Sequence, residues 1–317
     1  MAAIELQGAA APDSGTLSSS ARIRGARRAE AIFVGLGIIV TSIGVVTLLA
    51  LLGGLAYDGW TRLTPDFFTS FPSRRAGQAG ILSAWVGSLV VVLVCAAVAV
   101  PIGVAAGVYL EEYAPRNWLT DVIEINVNNL AGVPSIVYGL LALGLFVYGL
   151  GLGQSVATAG LTLALLILPI IIVATRESVR AVPQAIREAA YGIGATKWQV
   201  TSHHVLPYAS PGVTTGVIIG LSRAIGETAP LVMIGALSFI AFLPTPPLGS
   251  EFPFVSFQWL LDPFTVLPIQ MFNWVSRPDP AFQANAAATG LVLLVMTLLM
   301  NGFAIWFRIR MRRAIKW

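Results

Sequence analysis

Long apolar runs separated by short polar segments dominate this chain. A helix needs about 20 apolar residues to cross a bilayer, and four runs of suitable length are evident: 31–57, 81–110, 211–242 and 284–307. A further uncharged stretch, 133–175, is too long for one crossing, and the glycine-rich turn at 149–154 divides it into two spans. The pattern predicts an all-α polytopic membrane protein with six transmembrane helices.

Composition agrees with a membrane location. Hydrophobic residues make up 56% of the chain and charged residues 11%, whereas soluble domains carry about 25% charged residues. A chain this apolar cannot hide its surface in one soluble core. The single cysteine, Cys95, lies inside an apolar run, so a disulfide framework is excluded and a packing role is expected.

The distribution of lysine and arginine predicts the orientation of the spans, because these residues concentrate in cytosolic segments. With the N-terminus inside, fourteen of the 19 basic residues are cytosolic, four are external, and Arg223 lies within span five. The external four are Arg62, Arg74, Arg75 and Arg277. The bias predicts that both termini are cytosolic, and it places the polar segment 176–207 on the same side.

The N-terminal residues 1–30 are rich in alanine, serine, glycine and arginine without helical periodicity, which predicts a disordered cytosolic tail. A secretory signal peptide is the competing interpretation, but the apolar run of about 26 residues that follows is too long for one. Residues 31–80 are then the first transmembrane helix with an external loop. Residues 81–307 form the main membrane domain, and 308–317 are a basic cytosolic tail.

The longest external segment, 243–283, combines eight prolines with many aromatic residues. They include Phe252, Phe254, Phe257, Trp259, Phe264, Phe272 and Trp274. Aromatic rings are favoured at the membrane interface, which indicates an interfacial anchor. A docking surface for an external binding protein is the alternative, and both interpretations can hold together.

Energy-converting chemistry is not evident in the sequence. A phosphate-binding loop ends in Gly-Lys-Ser/Thr, but the only lysines are Lys197, in Ala-Thr-Lys-Trp, and Lys316. The only histidines are His203 and His204, too few for an imidazole-based metal site, and we expect them to be polar residues at the cytosolic interface. We predict no catalytic residue, metal site or cofactor in this chain.

The cytosolic segment after span four has the pattern of two short helices joined by a turn. Pro183 can start the first helix, and Gly192 and Gly194 permit a sharp turn after it. An apolar face is formed by Ile186, Ala189, Ala190 and Ile193. An amphipathic helix lying on the membrane surface explains this pattern, and docking to a partner protein explains it equally well.

Span five contains two charged residues, Arg223 and Glu227. An arginine inside a span is costly unless it faces protein or water, and Glu227 lies one helical turn further on, where the two can pair. A stripe of small residues at spacing four permits close approach of another helix: Gly212, Gly216, Gly220 and Ala224. The charges are expected near that stripe, at a helix interface or an internal pathway, and a neutralised structural ion pair remains the alternative.

A longer pattern extends through the cytosolic segment 176–207. It reads E-A-A-x3-G-x9-x-x-L-P and is formed by Glu188, Ala189, Ala190, Gly194, Leu206 and Pro207. The pattern resembles the cytosolic coupling loop of the permease subunits of ABC importers, which docks into a cleft on a separate ATPase. His204 stands where that family usually has isoleucine. The resemblance implies that these six residues couple the chain to an ATPase.

Two stretches resemble the phosphate-specific ABC importer permeases of the PstA type: Ser-Arg-Ala-Ile-Gly-Glu-Thr-Ala-Pro-Leu at 222–231 and Leu-Ala-Gly-Val-Pro-Ser-Ile-Val-Tyr-Gly-Leu at 130–140. Phe-Thr-Val-Leu-Pro-Ile-Gln at 264–270 and Asn-Trp-Val-Ser-Arg-Pro at 273–278 match the same type. The resemblance extends from about residue 81 to the C-terminus, and the first span is similar only in general character.

This resemblance implies an ABC importer type I permease fold in a bacterial inner-membrane complex. A second permease subunit (PstC-like) would complete the path, and an ATPase dimer (PstB-like) would bind ATP and Mg²⁺. An external phosphate-binding protein (PstS-like) would deliver the substrate, and no nucleic-acid partner is expected. Arg223 and Glu227 would lie on the translocation path or gate it.

Other functions remain open on the sequence alone. A close alternative is an importer permease for sulfate, molybdate or another solute. A self-contained channel or secondary transporter would use Arg223 and Glu227 for ion or proton coupling, but it would have no need of the E-A-A segment. A membrane scaffold without transport is the third class, and charges inside a span disfavour it.

Overall fold

The computed structural model describes residues 14–236, 239–246 and 256–314. Within these ranges the secondary structure is helical apart from one isolated β-bridge between Ser155 and Pro263. In chain order the helices are α1 (Ser14–Gly59), α2 (Pro65–Thr69), α3 (Leu82–Val108), α4 (Trp118–Leu130), α5 (Ser135–Ala142), α6 (Val156–Arg180), α7 (Gln184–Gly192), α8 (Lys197–Gln199), α9 (Leu206–Gly226), α10 (Ala229–Met233), α11 (Leu267–Val275) and α12 (Ala281–Ala314). The prediction of an all-α protein is confirmed.

Among the described residues, five helical segments are long and apolar enough to cross a membrane. They are Glu30–Arg62, Leu82–Tyr113, Val156–Arg180, Lys197–Gly226 and Ala281–Arg310. The remaining predicted crossing, the third along the chain, corresponds to a broken pair of helical segments, Trp118–Leu130 and Ser135–Gly149. The two segments are bent by 108° relative to each other. Pro134 lies in the break and caps α5, and proline disfavours a helical conformation in the residue before it.

Helix α1 begins at Ser14, so residues 14–30 are helical and continuous with the first span. The sequence pattern had indicated a disordered tail there. Alanine and arginine have high helix propensity, so a helix formed by the apolar span extends into this segment in spite of its missing periodicity. Residues 1–13 lie outside the described part of the chain. The chain divides after Gly54 into two compact units. The second unit, Leu55–Trp317, contains the helices α2 to α12.

In the second unit, the core forms where α3 packs on α6. A Cβ atom placed on Gly103 would lie 2.7 Å from Ile171 Cγ2, and one on Gly107 would lie 2.6 Å from Thr175 Cβ. Only glycine permits this approach of the two helices. Cys95 is fully buried in the same core, in agreement with its predicted packing role.

Span five differs from its predicted extent of 211–242. The helical segment starts at Lys197 and ends at Gly226, and Glu227 has an extended conformation with ψ of 127°. Pro230 explains the break, because in a continuous helix its ring would clash with the carbonyl of Gly226, four residues earlier. After the break the chain forms only the short helix α10.

The aromatic residues of segment 243–283, which the sequence predicts to be external, have two different environments. Trp274 and Phe264 are buried in protein, whereas Phe257 and Phe272 are 69% and 60% exposed. The prediction of an interfacial position therefore does not hold for these two residues. Trp274 packs in a core cluster with Phe67 and Phe282, and Phe264 packs in the cluster that contains Cys95 and Ile171. Phe252 and Phe254 lie outside the described residues.

Candidate functional site

The segment between α6 and α9, which the sequence predicts to be cytosolic, contains the predicted helix and turn. Helix α7 starts at Gln184 directly after Pro183 and ends at Gly192. Gly194 has a φ of +87°, a left-handed conformation that other residues adopt only with strain. Thr196 then caps α8 through a reciprocal capping box with Gln199.

Helix α7 does not bury the whole of the single apolar face that the sequence predicted. Ala190 is buried and Ile186 partly buried, and both pack in a core cluster with Val179 and Val205. Glu188 and Ala189 are exposed. Apolar residues of α7 therefore hold the helix to the protein, while one edge of the E-A-A pattern faces outward.

An exposed apolar side chain follows the outward edge of α7. Ile193 is 84% exposed, and Gly194 beside it is exposed as well. Together with Glu188 and Ala189 they form an outward surface, which we call the coupling surface.

The second half of the pattern contributes to packing. Segment Val200–Val205 is π-helical, and α9 follows with Leu206 and Pro207 in its first turn. Leu206 packs against the same core cluster as Ala190. His203 is exposed and His204 is partly buried. Leu206 and Pro207 are thus placed to position α9 behind the coupling surface, rather than to form that surface.

A cluster of ion pairs behind α7 was not predicted from the sequence. Its acidic members lie on α4 and directly after the C-terminal end of α3, and its basic members lie on α6 and α7. The pairs are Arg176–Glu124 at 2.6 Å, Arg180–Glu111 at 2.8 Å and Arg187–Glu112 at 2.8 Å. The one available signal was the adjacent acids Glu111 and Glu112 at the end of an uncharged span.

A polar cleft of about 610 Å³ opens beside α7. It is lined by Glu111, Glu112, Arg116, Arg180, Ala181, Val182, Pro183, Gln184, Arg187, Tyr191 and Lys197. The Lys197 ammonium lies 4.9 Å from the ring centre of Tyr113, within cation–π distance. Charged side chains from the end of α3 and from α6, α7 and α8 thus meet around this cleft.

The predicted pairing of Arg223 and Glu227 is confirmed. Arg223 Nε donates to Glu227 Oε1 at 3.0 Å. The pair lies at the end of α9 and not in the middle of a span, since Glu227 is the C-cap residue. The Arg223 side chain is 39% exposed and that of Glu227 17% exposed, so the pair is accessible from space that this chain does not fill.

The small-residue stripe of α9 packs on α6. A Cβ atom on Gly212 would contact Ser178, and one on Gly216 would contact Ala174. Ala224 continues the stripe and is buried. The predicted close approach of another helix is confirmed, and Arg223 lies to the side of this contact rather than inside it.

The two stretches 130–140 and 222–231 lie against each other. A Cβ atom on Gly139 would be 2.8 Å from Pro230 Cα, so α5 and α10 approach closely. Tyr138 is buried, and its hydroxyl donates to the Leu130 carbonyl at 2.8 Å. The turn between α4 and α5 is therefore fixed beside the break that follows Arg223.

Polar contacts also connect α9 with α12. The Ser222 hydroxyl hydrogen-bonds Asn301, and Arg308 Nη1 donates to Thr215 Oγ1 at 2.7 Å. Both contacts lie on candidate membrane spans, where polar groups need partners. The sequence analysis did not identify Asn301, which interrupts an apolar run.

Over residues 99–313 the sequence matches the family described as binding-protein-dependent transport system inner membrane component. The chain belongs to this family. It is 34% identical over 253 residues to the phosphate transport system permease protein PstA of Mycobacterium leprae, covering 80% of this chain and 76% of that one. It is 32% identical over 286 residues to PstA 1 of Mycobacterium tuberculosis H37Rv, covering 86% of each chain.

A third relative and a solved structure agree with the family. The probable ABC transporter permease protein YqgI of Bacillus subtilis is 30% identical over 266 residues, covering 82% of this chain and 88% of that one. The MetNI methionine ABC transporter in an inward-facing conformation has a TM-score of 0.53 at 18% identity, covering 73% and 94%. This likeness confirms the ABC importer type I permease fold.

Family membership places the chain in an inner-membrane transport system of bacteria as a multi-pass membrane protein. The matched range 99–313 includes both α7 and the Arg223–Glu227 pair. The coupling surface and the charged pair are thus both parts of the common permease domain, and neither belongs to the first helix α1.

Proposed function

We propose that this chain is the transmembrane permease subunit of an ATP-driven phosphate importer. The observation that carries the proposal is the identity of 32–34% to PstA proteins over most of the chain. The exposed coupling surface on α7 supports the ATP-driven part, because a permease that is driven by a separate ATPase needs a surface that contacts this ATPase. The accessible pair of Arg223 and Glu227 supports the transport of an anion, because a guanidinium binds phosphate strongly.

The coupling surface binds the ATPase in this proposal. Glu188, Ala189 and Gly194 with Ile193 enter a cleft on the ATPase, while Ala190, Leu206 and Pro207 hold the loop in place. The ATPase subunits bind ATP and Mg²⁺, and this chain binds neither. Both termini lie in the cytosol, on the same side as α7.

Arg223 and Glu227 lie on the translocation path or gate it. In the resting state Glu227 neutralises Arg223, and an incoming oxyanion competes with the carboxylate for the guanidinium. Alternating access then follows from differential binding, because each ligand shifts the equilibrium only by its difference in affinity for the two states. Loaded binding protein with ATP favours the outward-facing state, and hydrolysis favours the inward-facing state.

The complete transporter contains partners besides this chain. A second permease of similar fold completes the path, an ATPase dimer lies on the cytosolic side, and an external phosphate-binding protein delivers the substrate. The exposed aromatic residues Phe257 and Phe272 belong to the external side, where they anchor the loop at the membrane interface or contact the binding protein.

Substrate competition in membrane vesicles tests the proposal. Vesicles containing the whole complex are supplied with ATP and labelled phosphate, and unlabelled phosphate, arsenate or sulfate is added as competitor. Uptake should be reduced by phosphate and by arsenate, which are both tetrahedral and keep a proton near neutral pH, and should resist sulfate, which is tetrahedral but carries no proton. Efficient competition by sulfate with weak competition by phosphate would identify the transporter as a permease for another oxyanion.

A further inference from the structure

Arg187 and Glu188 are neighbours on α7 with opposite surroundings. Glu188 is exposed and belongs to the coupling surface. The Arg187 side chain is 12% exposed, and the side chain of its partner Glu112 is 8% exposed. Arg187 thus extends into the protein from the helix whose outer edge we assign to the ATPase.

The guanidinium of Arg187 makes four hydrogen bonds. Its Nε and Nη2 donate to Glu112 Oε1 at 3.1 and 2.8 Å. Its Nη1 donates to the Val182 carbonyl at 2.6 Å, and Nη2 also donates to the Val179 carbonyl at 2.9 Å. A planar guanidinium with this many short contacts has one orientation, so Arg187 connects α7 to the end of α6 and to Glu112.

Glu112 lies at the cytosolic end of the second transmembrane segment. The segment Tyr109–Tyr113 is π-helical and continues α3 without a break. Single π-helical turns are rare and occur frequently at functional sites. A second π-helical segment, Val200–Val205, lies next to it, with Tyr113 and Thr201 hydroxyls 3.4 Å apart.

The other part of α3 reaches the surroundings of the charged pair. Val91 and Cys95 of α3 are buried in one core cluster with Ala224, the residue that follows Arg223. Tight packing transmits displacement, because protein interiors have low compressibility. One continuous helix therefore connects the ion pair behind α7 with the core beside Arg223.

We infer that the Arg187–Glu112 ion pair transmits a displacement of α7 to the second transmembrane segment and through it to the core beside Arg223. The inference rests on the function proposed above, in which the ATPase moves α7. Arg187 and Glu112 are positioning residues that act through α7 and α3. The cargo and the nucleotide are bound elsewhere.

The neighbouring ion pair lacks the features needed for this role. Arg180 is 52% exposed and Glu177, one of its two partners, is 62% exposed. Exposed pairs are screened by water and contribute little, and their side chains can reorient when a helix moves. Glu177 thus offers a matched control for Glu112, since the same Glu→Gln change can be made at both positions.

The test uses the complete complex reconstituted in proteoliposomes. Three quantities are measured: basal ATP hydrolysis, hydrolysis stimulated by loaded binding protein, and phosphate uptake. Glu112→Gln should leave basal hydrolysis per assembled complex within a factor of about two, while stimulation and uptake per assembled complex fall roughly 2- to 30-fold, the range for mutations that alter coupling between sites. Glu177→Gln should change none of the three.

A double variant distinguishes transmission from structural support. Glu112→Gln alone leaves the Arg187 charge buried without its partner, which can lower complex yield. Arg187→Gln combined with Glu112→Gln removes both charges and should restore yield, while stimulation and uptake stay low. Recovery of stimulation and uptake in the double variant overturns the inference. Normal coupling in Glu112→Gln, or failure of the double variant to assemble, also overturns it.

The wild-type complex separates this inference from the proposed function. If loaded phosphate-binding protein does not stimulate the wild-type ATPase but the binding protein for another oxyanion does, the substrate assignment fails. The ratio of stimulated to basal hydrolysis still tests the ion pair in that case. If no binding protein stimulates the wild-type complex, the proposed function itself fails.

Discussion

Arg223 and Glu227 are joined by an ion pair of 3.0 Å at the point where α9 ends and the chain becomes extended. The pair spans the last turn of the helix, and the Arg223 side chain keeps 39% of its surface exposed. A guanidinium that is both paired and accessible can exchange its carboxylate partner for another anion. The break at Pro230 brings the turn between α4 and α5 beside this position.

Replacing Arg223 by glutamine tests its role in transport. Arg223→Gln removes the charge and keeps some hydrogen bonding, so assembly and binding-protein docking should survive. Phosphate uptake should fall roughly 10- to 100-fold, because a hydrogen bond to a charged group contributes about 1.5–3 kcal/mol. Uptake and complex yield are measured in the same vesicles.

The control for this variant removes both charges. If Arg223 and Glu227 only neutralise each other, Arg223→Gln with Glu227→Gln should restore assembly and transport together, since no lone charge remains. A stable but inactive double variant supports a role on the path. Near-normal uptake in the double variant would exclude that role.

Glu188 is the charged residue of the coupling surface, and reversing its charge should weaken ATPase attachment. Glu188 is exposed, so the Glu188→Lys variant should fold and insert normally. Less ATPase should co-purify with this variant, and phosphate uptake should fall. Glu177→Lys is the matched control, because Glu177 is exposed near the end of α6 that leads into α7 but lies outside the coupling surface. Equal ATPase recovery with both variants would show that Glu188 has no part in docking.

The left-handed conformation of Gly194 predicts a difference between two glycines of the same loop. Neither Gly192 nor Gly194 has an atom within 4 Å of an added Cβ, but only Gly194 has a positive φ, +87°. Gly194→Ala should therefore strain the loop by about 1–2 kcal/mol and reduce ATPase co-purification, whereas Gly192→Ala should be tolerated. Identical behaviour of the two variants would argue against a fixed turn in the assembled complex.

Packing between α9 and α6 predicts a stability effect at Gly216. A Cβ atom there would contact Ala174 Cβ, whereas one on Gly302 of α12 would meet no atom within 4 Å. Gly216→Ala should lower the free energy of unfolding by about 1–3 kcal/mol through overpacking, measured as the thermal transition of the purified complex. Gly302→Ala should leave the transition unchanged or raise it. A reversed order would mean that α9 and α6 are further apart in the assembly.

Local sequence patterns predicted the features that depend on neighbouring residues. The apolar runs predicted the membrane spans, and Gly194 predicted the turn after α7. The spacing of Arg223 and Glu227 predicted their ion pair. Pairing between distant segments could not be predicted, because Arg187 and Glu112 are 75 residues apart and meet only in the folded core. The direction of each side chain of α7 likewise depends on packing against α6.

The predicted and the observed structure differ at two places, where the hydrophobic pattern and the backbone preferences of the residues favour different conformations. The apolar pattern around 211–242 predicted one continuous span, but Pro230 ends the helix at Gly226. The missing periodicity of residues 14–30 indicated disorder, but their helix propensity lets α1 begin at Ser14. In both cases the backbone preference of particular residues prevailed over the hydrophobic pattern.

Phosphate uptake by the reconstituted complex tests most directly whether this chain is the permease of an ATP-driven importer. Proteoliposomes are prepared with all components, and then with this chain, the ATPase or the binding protein omitted in turn. We predict ATP-dependent phosphate uptake only when every component is present, and no ATP hydrolysis by this chain alone. Uptake by this chain without the ATPase, or full uptake in its absence, would contradict that function.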